Sequence, residues 1–194
     1  MGSGARPRYY EGTLTPTDLK DYAYCPVIPW LRLHASLREA PTPSMEAGRL
    51  DAGEKLAIAG RLGLPRPHRV EVPLESRRLG LRGVVDIVAG RGPYTVVEVK
   101  ALPRSPRRAG HFRLQLLAYV LLVLDSMGPV GRAILYLAGR PVEVPVNERT
   151  LGEALAALAR LRRLLASEEP PLANQPGAKC LYCGYRRSCP RASV

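Results

Sequence analysis

Cysteine is used four times in this chain, and at opposite ends of it: Cys25 stands alone near the N-terminus, while Cys180, Cys183 and Cys189 crowd the tail sequence KCLYCGYRRSC. If the four thiols act together, the fold must return its last residues to its first helices, which excludes any arrangement with the two ends at opposite poles. Four thiolates that include a C-x-x-C pair suit a tetrahedral zinc ion or an iron-sulfur cluster. Pro26 and Pro190 each follow a cysteine directly, and a proline after a ligating cysteine occurs in iron-sulfur sequences. Buried small hydrophobes, a redox dithiol or a disulfide are the competing readings. Spacing alone leaves zinc and cluster level.

The chain of 194 residues reads as one domain with a small appendage, long enough to bury a proper core. MGSGARPRYYEG has no apolar segment of the secretory kind, and the longest apolar run, 116–124, is far short of the roughly twenty residues of a membrane span. The expectation is a soluble, cytoplasmic protein without a membrane partner. A reducing cytosol disfavours disulfides, which favours metal over bridges. Of 29 basic residues only Lys20, Lys55, Lys100 and Lys179 are lysine, and 19 residues are proline; a thermophilic or high-GC source accounts for both. The net charge of +12 calls for a polyanionic partner, because arginine binds phosphate bidentately and a basic field speeds encounter with nucleic acid. The arginines cluster as Arg77, Arg78 and Arg82, and as Arg104, Arg107, Arg108 and Arg113.

Periodicity and breakers predict a helix over 16–38 capped by Thr17 or Asp18 and broken near Pro26 and Pro29, and a second over 44–60 capped by Ser44. Strands follow at 68–75, 79–89 and 94–101, the last two joined by the turn 90–93. A long apolar helix is expected at 110–127, strands at 132–138 and 141–146, a helix at 148–167, a linker at 168–178, and then the cysteine tail. The order is mixed α/β. Within the single domain 1–194 it divides into an N-terminal helical part, 1–62, a core of sheet and helix, 63–147, and a closing helix and tail, 148–194.

Asp86 lies inside GVVDIV, and Glu98 with Lys100 inside TVVEVK, so three charged groups are embedded in strands otherwise made of valine and isoleucine. Buried charge is costly unless paired or metal-bound. Alternation along a strand places Glu98 and Lys100 on one face, and a tight hairpin brings Asp86 beside Glu98. Two such carboxylates repel unless a hard cation lies between them, for which Mg²⁺ or Mn²⁺ is the usual choice at phosphate-processing sites. Lys100 then offsets charge on a scissile phosphate or holds the attacking water. The alternative is a simple Glu98–Lys100 ion pair on an exposed face.

The D-x11-E-x-K arrangement of Asp86, Glu98 and Lys100 resembles the PD-(D/E)XK nuclease core, and Gln115 with Tyr119 resembles the Q-x-x-x-Y helix of its RecB-like branch. The one-plus-three cysteine layout is similar to the iron-sulfur subset of that branch, and the length without a helicase region resembles its stand-alone CRISPR-associated exonucleases. The resemblance implies a restriction-endonuclease-like core, a central mixed sheet flanked by helices, with a cysteine-ligated iron-sulfur subdomain. By the same resemblance Asp86, Glu98 and the Val99 carbonyl bind Mg²⁺ or Mn²⁺, Lys100 positions the nucleophilic water, and Gln115 and Tyr119 touch the DNA backbone or support the metal. Cys25, Cys180, Cys183 and Cys189 ligate a cluster, 4Fe-4S before 2Fe-2S, that acts as a staple. The substrate implied is single-stranded DNA ends or overhangs, trimmed for spacer acquisition, with the CRISPR integrase complex as partner.

One position departs from the pattern. The family carries a metal-binding histidine on an early helix, and in GRLDAGE the corresponding place is Ala52, which leaves Asp51 or Glu54 as substitute oxygen ligands or as solvated helix charges. His34 and His68 are not obvious replacements; His111 shares a helix face with Gln115 and reads as a helix-start residue. A catalytically weak or inactive nucleic-acid-binding module, stapled by a cluster or by zinc, is therefore the alternative to the nuclease.

Overall fold

The structure is a computed structural model that describes residues 10–37, 50–101, 110–173, 176–181 and 183–192. Helix α1, Pro16–Tyr24, begins at Thr15, not at the expected Thr17 or Asp18, because Thr15 and Asp18 form a reciprocal capping box around Pro16. The helix stops at Cys25, whose extended backbone is what a residue before proline prefers. Helix α2, Val27–His34, restarts after Pro26, and Pro29 is tolerated in its first turn, where the backbone N–H has no helical partner. The break therefore falls at Pro26 alone. Helix α3, Ala52–Arg61, is capped by Asp51 with Glu54 completing a second box. The expected cap Ser44 lies outside the described residues, and residues 50 and 51 are not helical.

Five strands form one mixed sheet in sequence order: β1 (His68–Ser76), β2 (Leu81–Ala89), β3 (Tyr94–Lys100), β4 (Val130–Leu137) and β5 (Arg140–Val144). All neighbours are antiparallel except β3 and β4, which are parallel and joined by the crossover helix α4, Gly110–Ser126. Helix α4 is buried around most of its circumference, with Leu116, Leu117, Val120, Leu122 and Val123 fully enclosed between the sheet, α1 and α5, Glu148–Leu165. The opposite sheet face is covered by α3 through Ile58 and Ala59 against Ile87, Val97, Val99 and Ile134. Among the described residues no helix is long and apolar enough to cross a membrane.

Two features of the sheet place the site. Strands β2 and β3 pair only over Ile87–Ala89 and Thr95–Val97, so the sheet forks at the Ile87–Val97 pair, on the side of Asp86 and Glu98. At the fork β1 and β2 also exchange faces. Val70 and Ile87 pack on the α3 side, whereas Val72 and Val85, two residues away on each strand, pack on the α4 side. The residues at this exchange are Glu71 and Asp86, which lie between the register pairs Val70–Ile87 and Val72–Val85, and Glu71 adopts the left-handed region at φ 53°.

The first helices and the cysteine tail meet, as the cysteine layout required. Trp30 Nε1 donates to the Ser167 carbonyl at 2.9 Å, and the Arg32 guanidinium reaches Asp21 and the Tyr185 hydroxyl, fastening α2 to the segment after α5 and to the tail. The segment expected as a linker holds the short helix α6, Gly177–Cys180, at its end. Arg162 of α5 donates to four carbonyls, those of Tyr10, Gly12, Leu79 and Gly80, and so joins the N-terminal segment to the β1–β2 turn.

Candidate active site

The fork opens a cavity of about 330 Å³ whose walls include Asp86, Glu98, Val99, Lys100, Gln115 and Tyr119. All five side chains expected from the sequence to do the chemistry thus meet in one place. Asp86 sits where β2 leaves β3, and its Oδ2 accepts the Val99 N–H at 2.9 Å, which holds the carboxylate across the gap. Glu98, 2% exposed, faces the α4 side and pairs with the Lys100 ammonium at 2.5 Å. The ion pair of the alternative reading is present, but it is enclosed by the fork and not spread on an open face.

Burial pushes the Glu98 carboxyl up to about 7, with the Lys100 charge opposing and the neighbouring Asp86 charge reinforcing the rise. Tyr119, one turn after Gln115 on α4, is pushed upward too, first by burial and then by the negative charges of Glu98 and Asp86; its hydroxyl is hydrogen-bonded to the Gln115 side chain. The Gln115 Oε1 is buried and has no hydrogen-bond partner among the described residues. Two close carboxylates, one of them raised by desolvation, and an orphaned amide oxygen form a set of hard oxygen donors. That chemistry fits a hard, oxygen-seeking divalent ion.

The comparisons agree with this geometry. The model of the PD-(D/E)XK nuclease superfamily matches residues 51–190, a span that includes the whole forked sheet. The CRISPR-associated exonuclease Cas4 of Thermoproteus tenax is 32% identical over 182 residues, covering 91% of this chain and 93% of its own. That of Aeropyrum pernix is 31% identical, covering 88% and 92%. The chain belongs to the Cas4 family of PD-(D/E)XK nucleases. A CRISPR-associated exonuclease Cas4/endonuclease Cas1 fusion of Geobacter sulfurreducens is 30% identical across 88% of this chain, which matches 32% of the fusion. The crystal structure of SSO0001 aligns over 99% of the chain with a TM-score of 0.54 at 19% identity, a likeness of fold.

For a Cas4-family nuclease the early-helix substitution now has a structural outcome. Asp51 and Glu54 are exposed and spend their carboxylates on each other's backbone N–H groups, so the pair caps α3, and neither lines the cavity. None of the three histidines lines it either: His34 meets the Leu165 carbonyl, His68 the Leu64 carbonyl, and His111 packs against Tyr24 and Phe112. The residue of α3 that does reach the site is Lys55, whose ammonium lies 3.0 Å from Asp86 Oδ1 and 3.0 Å from Glu71 Oε1. Sequence reasoning missed both Lys55 and Glu71. One signal was available: Lys55 is one of four lysines in a chain that otherwise uses arginine.

The four cysteines also converge. Cys25, Cys180, Cys183 and Cys189 line one small cavity with Val27, Ile28, Leu31 and Tyr185. Burial pushes the Cys25 thiol up, and the nearby Cys183 and Cys189 sulfurs add to the rise. Among the described residues no three His, Cys, Asp or Glu side chains stand at metal-ligating distance, here or at the fork. The arginines 104, 107 and 108 lie outside the described residues, while Arg113 is engaged by Glu153 at 2.7 Å.

Proposed function

We propose that this nuclease hydrolyses phosphodiesters of DNA at single-stranded ends or overhangs, using Mg²⁺ or Mn²⁺, and that it prepares DNA for CRISPR spacer acquisition beside the integrase. The observation that carries the reading is the fork itself: Asp86, Glu98 and Lys100 converge where β2 and β3 part, with Gln115 and Tyr119 closing the α4 side. The ion would be held by Asp86, Glu98 and the Val99 carbonyl. When bound it would polarise the phosphate and lower the pKa of a water. Lys100 holds the attacking water and faces the phosphate charge from a partly buried place, where an ammonium counts for more than in bulk solvent. The Gln115 oxygen orients that water or a sugar hydroxyl. The name of the Geobacter relative, a fusion with the endonuclease Cas1, supports an integrase partner.

The cysteine nest is proposed to hold a 4Fe-4S cluster as a staple. Four thiols facing one cavity are the donor set that such a core needs. Zinc is the competing occupant. Brown colour and stoichiometric iron in anaerobically prepared protein support the cluster, and stoichiometric zinc without iron refutes it.

The nuclease reading is tested with end-labelled single-stranded, duplex and overhang oligonucleotides. Metal-dependent shortening from the single-stranded ends, lost in Glu98→Ala, is expected. Cleavage that persists without divalent metal, or in Glu98→Ala, would overturn it.

A further inference from the structure

Three carboxylates line up across adjacent strands at the fork. Glu71 on β1 and Asp86 on β2 lie between the register pairs Val70–Ile87 and Val72–Val85, and Asp86 stands one residue beyond the Ile87–Val97 pair, toward Glu98 on β3. Like charges gathered on neighbouring strands repel. Lys100 answers Glu98, and Lys55 is inserted between the other two, equidistant at 3.0 Å. Lys55 reaches them from α3, on the other side of the sheet from Gln115 and Tyr119, and can do so because β1 and β2 exchange faces at this pair. The exchange requires Glu71 to hold a left-handed conformation that glutamate rarely adopts, and such an outlier marks a constrained position.

The two contacts differ in surroundings. Lys55 itself is buried, 9% exposed, and the Asp86 side chain is 20% exposed, whereas the Glu71 side chain is 51% exposed and opens outward. Both Asp86 oxygens are taken, Oδ1 by the ammonium and Oδ2 by the Val99 N–H. A divalent ion at Asp86 would therefore meet a resident positive charge.

We infer that Lys55 is a displaceable internal cation of the metal site, and that Glu71 is the second seat that keeps its ammonium when a divalent ion takes Asp86. This rests on the reading of Asp86 as a metal ligand. With this arrangement the site is never left as a bare cluster of carboxylates. The cost is metal affinity, which becomes a competition between the ion and the ammonium, so Lys55 sets the metal concentration at which the enzyme works.

The test is Mn²⁺ binding to the cluster-containing protein without DNA, measured by titration calorimetry and by the electron paramagnetic resonance of free Mn²⁺. Lys55→Met removes the charge and keeps the length; it is expected to tighten Mn²⁺ binding at least about tenfold, because a unit charge a few ångströms from a divalent ion in a partly buried site is worth well over that factor. Lys55→Arg, which keeps the charge, should bind no tighter than wild type. Glu71→Gln should weaken binding severalfold, since the ammonium then has Asp86 alone. In the Lys55→Met background Glu71→Gln should change nothing, a non-additive cycle. Unchanged or weaker binding in Lys55→Met overturns the inference, and so does a Glu71→Gln loss that persists in that background, which would make Glu71 a ligand. Asp86→Asn separates the two levels: if it leaves Mn²⁺ binding intact, the metal-site reading fails, and if it abolishes binding while Lys55→Met fails to tighten it, only the lysine inference falls.

Discussion

Glu98 should make the metal-free protein progressively less stable as the solution is made less acidic. Its carboxyl is raised from the ordinary 4.5 to about 7 because burial penalises the charged form more than Lys100 rewards it. A raised folded-state value means that the folded chain binds a proton more tightly than the unfolded chain. The stabilisation is therefore complete below pH 4.5 and is lost as the pH rises through about 7. At about 1.4 kcal/mol per pH unit, the interval amounts to about 3 kcal/mol, a large share of an ordinary folding free energy. Glu98→Gln keeps the shape and cannot ionise, so urea denaturation of both proteins across pH 5 to 8 without divalent metal isolates this group, other titrations cancelling in the difference. The variant should gain on wild type by up to about 3 kcal/mol across the window, whatever offset it carries from the unpaired Lys100. Adding Mn²⁺ at the upper end should restore wild type and leave the variant unmoved, because a ligand stabilises the state that binds it. A difference that stays flat with pH, or that favours wild type as pH rises, would refute the account of Glu98 as a carboxylate held without sufficient positive charge.

Arg162→Ala should cost about 2–4 kcal/mol in denaturant unfolding, since four carbonyls in the N-terminal segment and the β1–β2 turn lose a charged donor together; a loss under about 0.5 kcal/mol would show that the guanidinium is replaced by water at no cost. Cys25→Ser should lower iron content and melting temperature while leaving the sheet's circular dichroism intact, and unchanged iron would remove Cys25 from the ligand set. Charge reversal at Arg104, Arg107 and Arg108 should weaken binding to unrelated DNA sequences alike and reduce the salt slope by roughly one per phosphate contact removed. An unchanged slope would mean that this arginine stretch does not touch the backbone.

What the sequence determined by itself were the features written in local chemistry. Charged residues inside valine-rich strands marked Asp86, Glu98 and Lys100, a four-residue spacing joined Gln115 to Tyr119, and the strands and long helices were legible to within a few residues from periodicity and breakers. The cysteine layout required the chain ends to meet, and α2 and the tail do meet. Where local chemistry allowed two answers the sequence left both open: Asp51 and Glu54, either oxygen ligands or solvated helix charges, accept each other's backbone N–H groups at the start of α3, a role available to any Asp-x-x-Glu before a helix. Tertiary structure alone decided Lys55 and Glu71. Lysine on an amphipathic helix and glutamate on an alternating strand are ordinary surface residues to a one-dimensional reading. They become parts of the site because β1 and β2 exchange faces at Glu71 and Asp86, and a change of face depends on the backbone of two paired strands at once, which no periodicity within either strand records.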